Sequence, residues 1–158
     1  MIQRTQKRLW LCCSLLTLIL AFIWGNSLLP GHVSAAFSQW VKDLLSKLLS
    51  GTGPDSSGHG LLRKIAHFTE YACLGMCLTW LWGMLATNTA HILLPALGCG
   101  FAAACVDETI QRFIPGRYGC FTDVMIDFSG ILLGTILLVV CIRLYKKKHN
   151  NNFGGKTK

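Results

Sequence analysis

Charge is scarce in this 158-residue chain: 14% of residues are charged and only seven are acidic, against a hydrophobic content of 52%. With a mean hydropathy of +0.46, that scarcity excludes an ordinary soluble domain. The chain also lacks a Cys-x-x-Cys pair, a phosphate loop and a nucleophile motif. No local signature for metal chelation, phosphate binding or nucleophilic catalysis is therefore present. The few charges that remain carry most of the information.

The net charge of +8 has to be located before it means anything. Nine of the 15 basic residues lie in two tails: Arg4, Lys7 and Arg8, then Arg143, Lys146, Lys147, Lys148, Lys156 and Lys158. Between the tails, basic and acidic residues nearly balance. Four apolar runs occupy that interval, from about Leu9 to Leu28, Ile65 to Leu85, His91 into the 106–110 region, and Val124 to Tyr145. Each is long enough, or nearly so, to span a bilayer. Basic flanks on the outer runs place both termini in the cytoplasm, which requires an even number of spans. The link at Thr87, Asn88 and Thr89 carries no positive charge and adds nothing to this argument. The expected fold is an all-α polytopic membrane bundle of four transmembrane helices plus one interfacial amphipathic helix. Residues 1–8 and 146–158 read as cytoplasmic basic tails and 9–145 as one transmembrane domain. Membrane flanks account for the basic tails, so no nucleic-acid partner is expected.

Residues 35–49 differ in kind. Phe37, Trp40, Val41, Leu44, Leu45, Leu48 and Leu49 recur at helical spacing, with polar residues on the other face. That pattern predicts an amphipathic helix lying on the membrane. Residues 51–60 read as a flexible linker. The first span resembles a retained anchor more than a signal peptide, its apolar run being longer than a usual signal core. Seven of the eight cysteines fall in or against apolar runs, where thiols act as small buried hydrophobes. Cys73 and Cys77, four apart on one helix, are the only chelating pair in principle, and Cys120 alone sits in a predicted outer loop. Gly130 and Gly134 form a small-xxx-small pattern, for which Gly98, Gly100 and residues 102–104 offer a complementary smooth surface.

Three stretches hold the interior charge: Arg63 to Tyr71, Asp107 to Arg112, and Arg117 with Asp123 and Asp127. With four spans and both termini inside, all three face outward at one side of the membrane. If Ile65 begins the second span, Glu70 lies about 7 Å further in. Lys64, His67 and Glu70 share a helix face, as do Glu108 and Arg112, and Asp123 and Asp127. Ionisable groups at that depth are costly and mark working sites. Simpler roles stand beside this reading. Asp123 or Thr122 would cap the fourth helix, Arg63 and Lys64 would snorkel to headgroups, and Arg117, after the Pro115-Gly116 turn, would act as a counter-ion. His67, Glu70, Asp107, Glu108 and Asp127 resist that treatment, because all would need pairing at depth.

The segment Lys64-Ile65-Ala66-His67-Phe68-Thr69-Glu70-Tyr71-Ala72-Cys73-Leu74 resembles the VanZ-like family. So do Asp107-Glu108, Gln111, Phe113 and Pro115-Gly116-Arg117, followed by Asp123, Gly130 and Gly134, and also Asn26-Ser27 near the end of the first span. Asp127 departs from the pattern, which more often carries Asn there. The resemblance implies a small multi-pass protein of the bacterial cell membrane. The namesake is associated with low-level resistance to teicoplanin, a glycopeptide antibiotic.

Two functional readings follow. In the first, an outward polar pocket of this envelope protein binds a lipid-linked cell-wall precursor or a lipoglycopeptide, in contact with membrane lipids. Lys64, His67, Glu70, Tyr71, Asp107, Glu108, Gln111, Arg117, Asp123 and Asp127 are its binding candidates. In the second, an intramembrane enzyme acts on such a lipid, with His67 or Glu70 as general base and Arg117 stabilising negative charge. No cofactor and no metal are expected, since His67 is the only histidine near the cluster and zinc would have to rely on carboxylates. A proton-coupled transporter is weaker, because four spans leave little room for alternating access.

Overall fold

The computed structural model describes residues 2–36, 39–40 and 59–154, and every regular element among them is helical. Four long helices carry the architecture: α1 Ile2–Ser27, α2 His59–Leu85, α3 Thr89–Arg112 and α4 Phe121–Gly154. Residues 31–36 and 39–40, between α1 and α2, are also helical. Most of the predicted 35–49 helix and 51–60 linker lies outside the described residues.

Three helices contain stretches long and apolar enough to cross a membrane: Thr5–Ser27, Thr89–Arg112 and Phe121–Lys148. The expected second span, α2, is not among them, although its 27 residues amount to about 40 Å of helix. His67, Thr69 and Glu70 dilute its hydropathy. His67 and Glu70 are tolerated there because α2 packs against α1, α3 and α4, so protein covers much of its surface, while the exposed Thr69 hydroxyl donates to the Ile65 carbonyl of its own helix at 2.8 Å.

Close backbone approach fixes α2 against α4. A Cβ at Gly130 would run into the Phe68 carbonyl, and one at Gly134 into the Ala72 carbonyl. Reciprocally, a Cβ at Gly75 would meet the Ile131 backbone. The small-xxx-small stripe of α4 thus packs on α2, not on the smooth surface of α3 that the sequence suggested. Gly98 faces open space, and Gly100 faces the Ile131 side chain. Away from the charged end, Leu16, Leu74, Leu78, Ala96 and Ile131 build the core with Cys12 and Cys77. The Cys12 thiol lies 3.7 Å from the Cys77 carbonyl oxygen, whereas Cys73 is exposed. All eight cysteines are free thiols.

The helix ends are set by local chemistry. The Asn88 side chain accepts from Ala90 N at 2.9 Å and starts α3, as an N-cap should. After Phe113 the chain turns through Pro115 and Gly116, and Gly116 takes φ +77°, a conformation that favours glycine. Gly31 N donates to Pro115 O at 3.1 Å, and a Cβ on Gly31 would strike the Gly116 carbonyl. The chain leaving α1 is therefore locked to the α3–α4 turn. Asp123 lies in the first turn of α4, where the helix dipole favours a carboxylate.

Candidate functional site: a buried polar cluster at one end of the bundle

The end of α1, the start of α2, the end of α3 and the start of α4 meet at one end of the bundle, so the three charged stretches converge. His67 is about nine-tenths buried, and Asp107 and Asp127 are almost wholly so, at 0% and 1% exposure. His67 Nδ1 lies 3.8 Å from Asp107 Oδ2 and 3.9 Å from Asp127 Oδ1. Those separations are too long for hydrogen bonds. Gln111 Nε2 donates to Asp107 Oδ2 at 3.0 Å and lies 3.3 Å from Ser27 Oγ. Glu108 Oε2 accepts from Cys120 N at 2.8 Å, which ties α3 to the entry of α4.

Arg117 is buried, and its Nη2 donates to the Asn26 carbonyl at 2.8 Å. A guanidinium at the C-terminus of α1 complements that helix's dipole. Burial and the Arg63 guanidinium lower the proton affinity of Arg117, while Asp107, Glu108 and Glu70 oppose them. It stays charged. Among the described residues no carboxylate lies within ion-pair distance of it, so the counter-ion role sketched from sequence is not met by direct pairing.

The other sequence candidates divide. Tyr71 is wholly buried and its hydroxyl points to the Ala103 carbonyl at 3.4 Å. It ties α2 to α3 and is not a free donor to a ligand. Lys64 is exposed at the rim. Asp123 faces Arg63 at 3.9 Å, both partly exposed, a pair of small energetic weight. Glu70 is half-buried, with Oε2 unpartnered.

Two spaces flank His67. A cavity of about 480 Å³ opens between α1 and α2, walled by Phe22, Gly25, Leu29, Leu62 and Ile65, with Asn26, Ser34, Arg63, His67 and Glu70 as its polar lining. A second cavity of about 10 Å³ lies among α2, α3 and α4, against Arg63, Lys64, His67, Glu108, Gln111, Asp123 and Asp127. A family model described as VanZ/LLP1 matches residues 8–143. The chain belongs to the VanZ/LLP1 family. Neither the curated proteins nor the solved structures give a match.

In this VanZ/LLP1 protein, sequence reasoning left Asn26 and Ser27 outside the site, although both touch it through Arg117 and Gln111. Their place in the family's opening motif was the available signal. It also expected no metal. The structure nevertheless brings His67, Asp107 and Asp127 together, with one ligand atom from each lying within 4.8 Å of the others.

Proposed function

We propose that this VanZ/LLP1 protein binds an amphiphilic envelope ligand, a lipid-linked cell-wall precursor or a lipoglycopeptide, in the cavity between α1 and α2. The supporting observation is the character of that cavity: an apolar wall suited to an acyl chain leads to Arg63, His67 and Glu70, suited to a polar or anionic headgroup. Ligand sites commonly combine such walls with a few convergent polar groups. On this reading α2 also crosses the membrane, which makes four spans, both termini are cytoplasmic, and the cluster faces outward in the cell membrane. Low-level teicoplanin resistance would follow from capture of the lipoglycopeptide.

Cavity filling tests the reading. A Cβ at Gly25 would meet nothing within 4 Å, so Gly25→Phe should block the cavity while leaving the fold intact. In nanodiscs, labelled teicoplanin and a lipid-linked precursor are titrated against both proteins. At least a tenfold loss of affinity for one of them supports the proposal. Equal binding by the two proteins, or no binding by wild type, rejects it. Teicoplanin susceptibility of a sensitive Gram-positive host then reports the resistance phenotype. Orientation has its own check, because Cys120 is exposed and the Thr122 hydroxyl bond lowers its thiol pKa. As the sole remaining cysteine it should react with an impermeant maleimide added outside intact cells.

The enzymatic reading keeps one observation in its favour: His67 faces two aspartates, an arrangement that would orient an imidazole as general base. Loss of turnover with retained ligand binding in His67→Gln would favour chemistry over recognition.

A further inference from the structure

We propose that His67, Asp107 and Asp127 form a binding site for one divalent cation of the Mn²⁺, Fe²⁺ or Zn²⁺ type. The three residues come from three different helices, and one ligand atom from each lies within 4.8 Å of the others. An imidazole with two carboxylates is a donor set these ions favour, whereas Mg²⁺ and Ca²⁺ prefer oxygen alone. Bonds of about 2.0–2.2 Å would require ligand atoms roughly 3.3–3.6 Å apart in a tetrahedral arrangement. The observed 3.8 and 3.9 Å from His67 Nδ1 to the two carboxylates exceed that by a few tenths of an ångström, within reach of a small carboxylate rotation.

Unmet valence is the independent sign of a ligand. His67 Nδ1, Asp107 Oδ1 and both carboxylate oxygens of Asp127 are buried without a hydrogen-bond partner. Buried polar atoms are seldom left so, because each loses its hydration with nothing in return. The nearby cations do not answer them. Arg117 gives Nη2 to the Asn26 carbonyl, its Nε and Nη1 being unpartnered and beyond ion-pair distance of any carboxylate among the described residues, Arg63 faces Asp123, and Lys64 is exposed. A divalent ion with two carboxylates and a neutral imidazole sums to zero charge, the least costly total at membrane depth.

A small space adjoins the group. The cavity of about 10 Å³ touches His67 and Asp127, with Glu108, Gln111 and Asp123 and the cationic Arg63 and Lys64 also around it, and has room for about one water-sized particle. Gln111 Nε2 holds Asp107 Oδ2 at 3.0 Å, the kind of outer contact that fixes a ligating carboxylate. The inference does not rest on the amphiphile reading, since a cation would bind whichever ligand fills the larger cavity.

The full chain in nanodiscs, stripped with a chelator and its accessible thiols alkylated, is titrated with Mn²⁺ by electron paramagnetic resonance and with Zn²⁺ by elemental analysis. One saturable equivalent of either ion is expected, with a rise in melting temperature on loading. Asp127→Asn should weaken binding at least tenfold, and Asp107→Asn with Asp127→Asn should abolish it, while Thr79→Val with Thr135→Val, a pair bonded to each other away from the cluster, binds as wild type. Melting curves without metal report whether the variants fold. If the double variant does not, the wild-type melting shift and the Asp127→Asn titration decide. No saturable equivalent of either ion overturns the proposal. Binding that survives both Asp→Asn changes overturns it equally.

Discussion

The two ends of the bundle treat buried polar groups in opposite ways. Toward the far end, the polar groups pair with one another: the Thr79 hydroxyl donates to the Thr135 hydroxyl at 3.0 Å across the α2–α4 seam. Small residues and aliphatic side chains fill the space around them. At the charged end, His67, Asp107, Asp127 and Arg117 are buried with atoms unmet. Apart from the indole nitrogens of Trp24 and Trp82, every unpartnered buried side-chain atom among the described residues belongs to that end, Glu70 included. Evolution could have filled the charged end with apolar side chains, often at no loss of stability. The contrast teaches that one half of the bundle is packed as a fold, while the other carries the unmet polar groups on which the proposed site rests.

The largest effect that would break this comparison belongs to the helix seam. Gly134→Ile forces a branched side chain into the Ala72 carbonyl and should cost about 3 kcal/mol, read as lost monodisperse yield and a lower unfolding midpoint in detergent. A midpoint at the wild-type level would show that α2 and α4 do not approach as described. Next comes Gln111→Ala, which removes the bond to Asp107 and the contact with Ser27. About 2 kcal/mol of destabilisation is expected, because Gln111 supplies a hydrogen bond to the wholly buried Asp107 carboxylate. Smallest is the double change Thr79→Val with Thr135→Val, which replaces both partners of one bond and should stay within about 0.5 kcal/mol of wild type. Either single change should cost about 1 kcal/mol. A double-mutant cycle on those variants measures the coupling.

The charged stretches were legible because ionisable residues beside long apolar runs stand out, and the positions of the runs already sent all three to one end. Family membership was legible in the order and spacing of Lys64 to Leu74 and of Asp107 to Arg117. The packing partner of Gly130 and Gly134 was not, since a small-residue stripe announces close approach without saying to which helix. Nor was the role of Asn26, whose contribution is a main-chain carbonyl and has no side-chain signature. The His67–Asp107–Asp127 group escaped spacing rules because its members lie on three helices, so their meeting is a product of tertiary packing. Tyr71 shows the converse: its position in the motif marked it as a ligand donor, while packing directs its hydroxyl to Ala103.

The most direct test of the claim that the charged end is a working site rather than a structural plug is the double variant His67→Gln with Glu70→Gln. Its melting temperature and its affinity for teicoplanin and a lipid-linked precursor are measured together in the same nanodiscs, with variant and wild type both stripped of metal by a chelator. The account predicts a melting temperature equal to or above wild type, with affinity lowered at least tenfold. Wild-type affinity combined with a lowered melting temperature would contradict it, and would make these residues part of the scaffold.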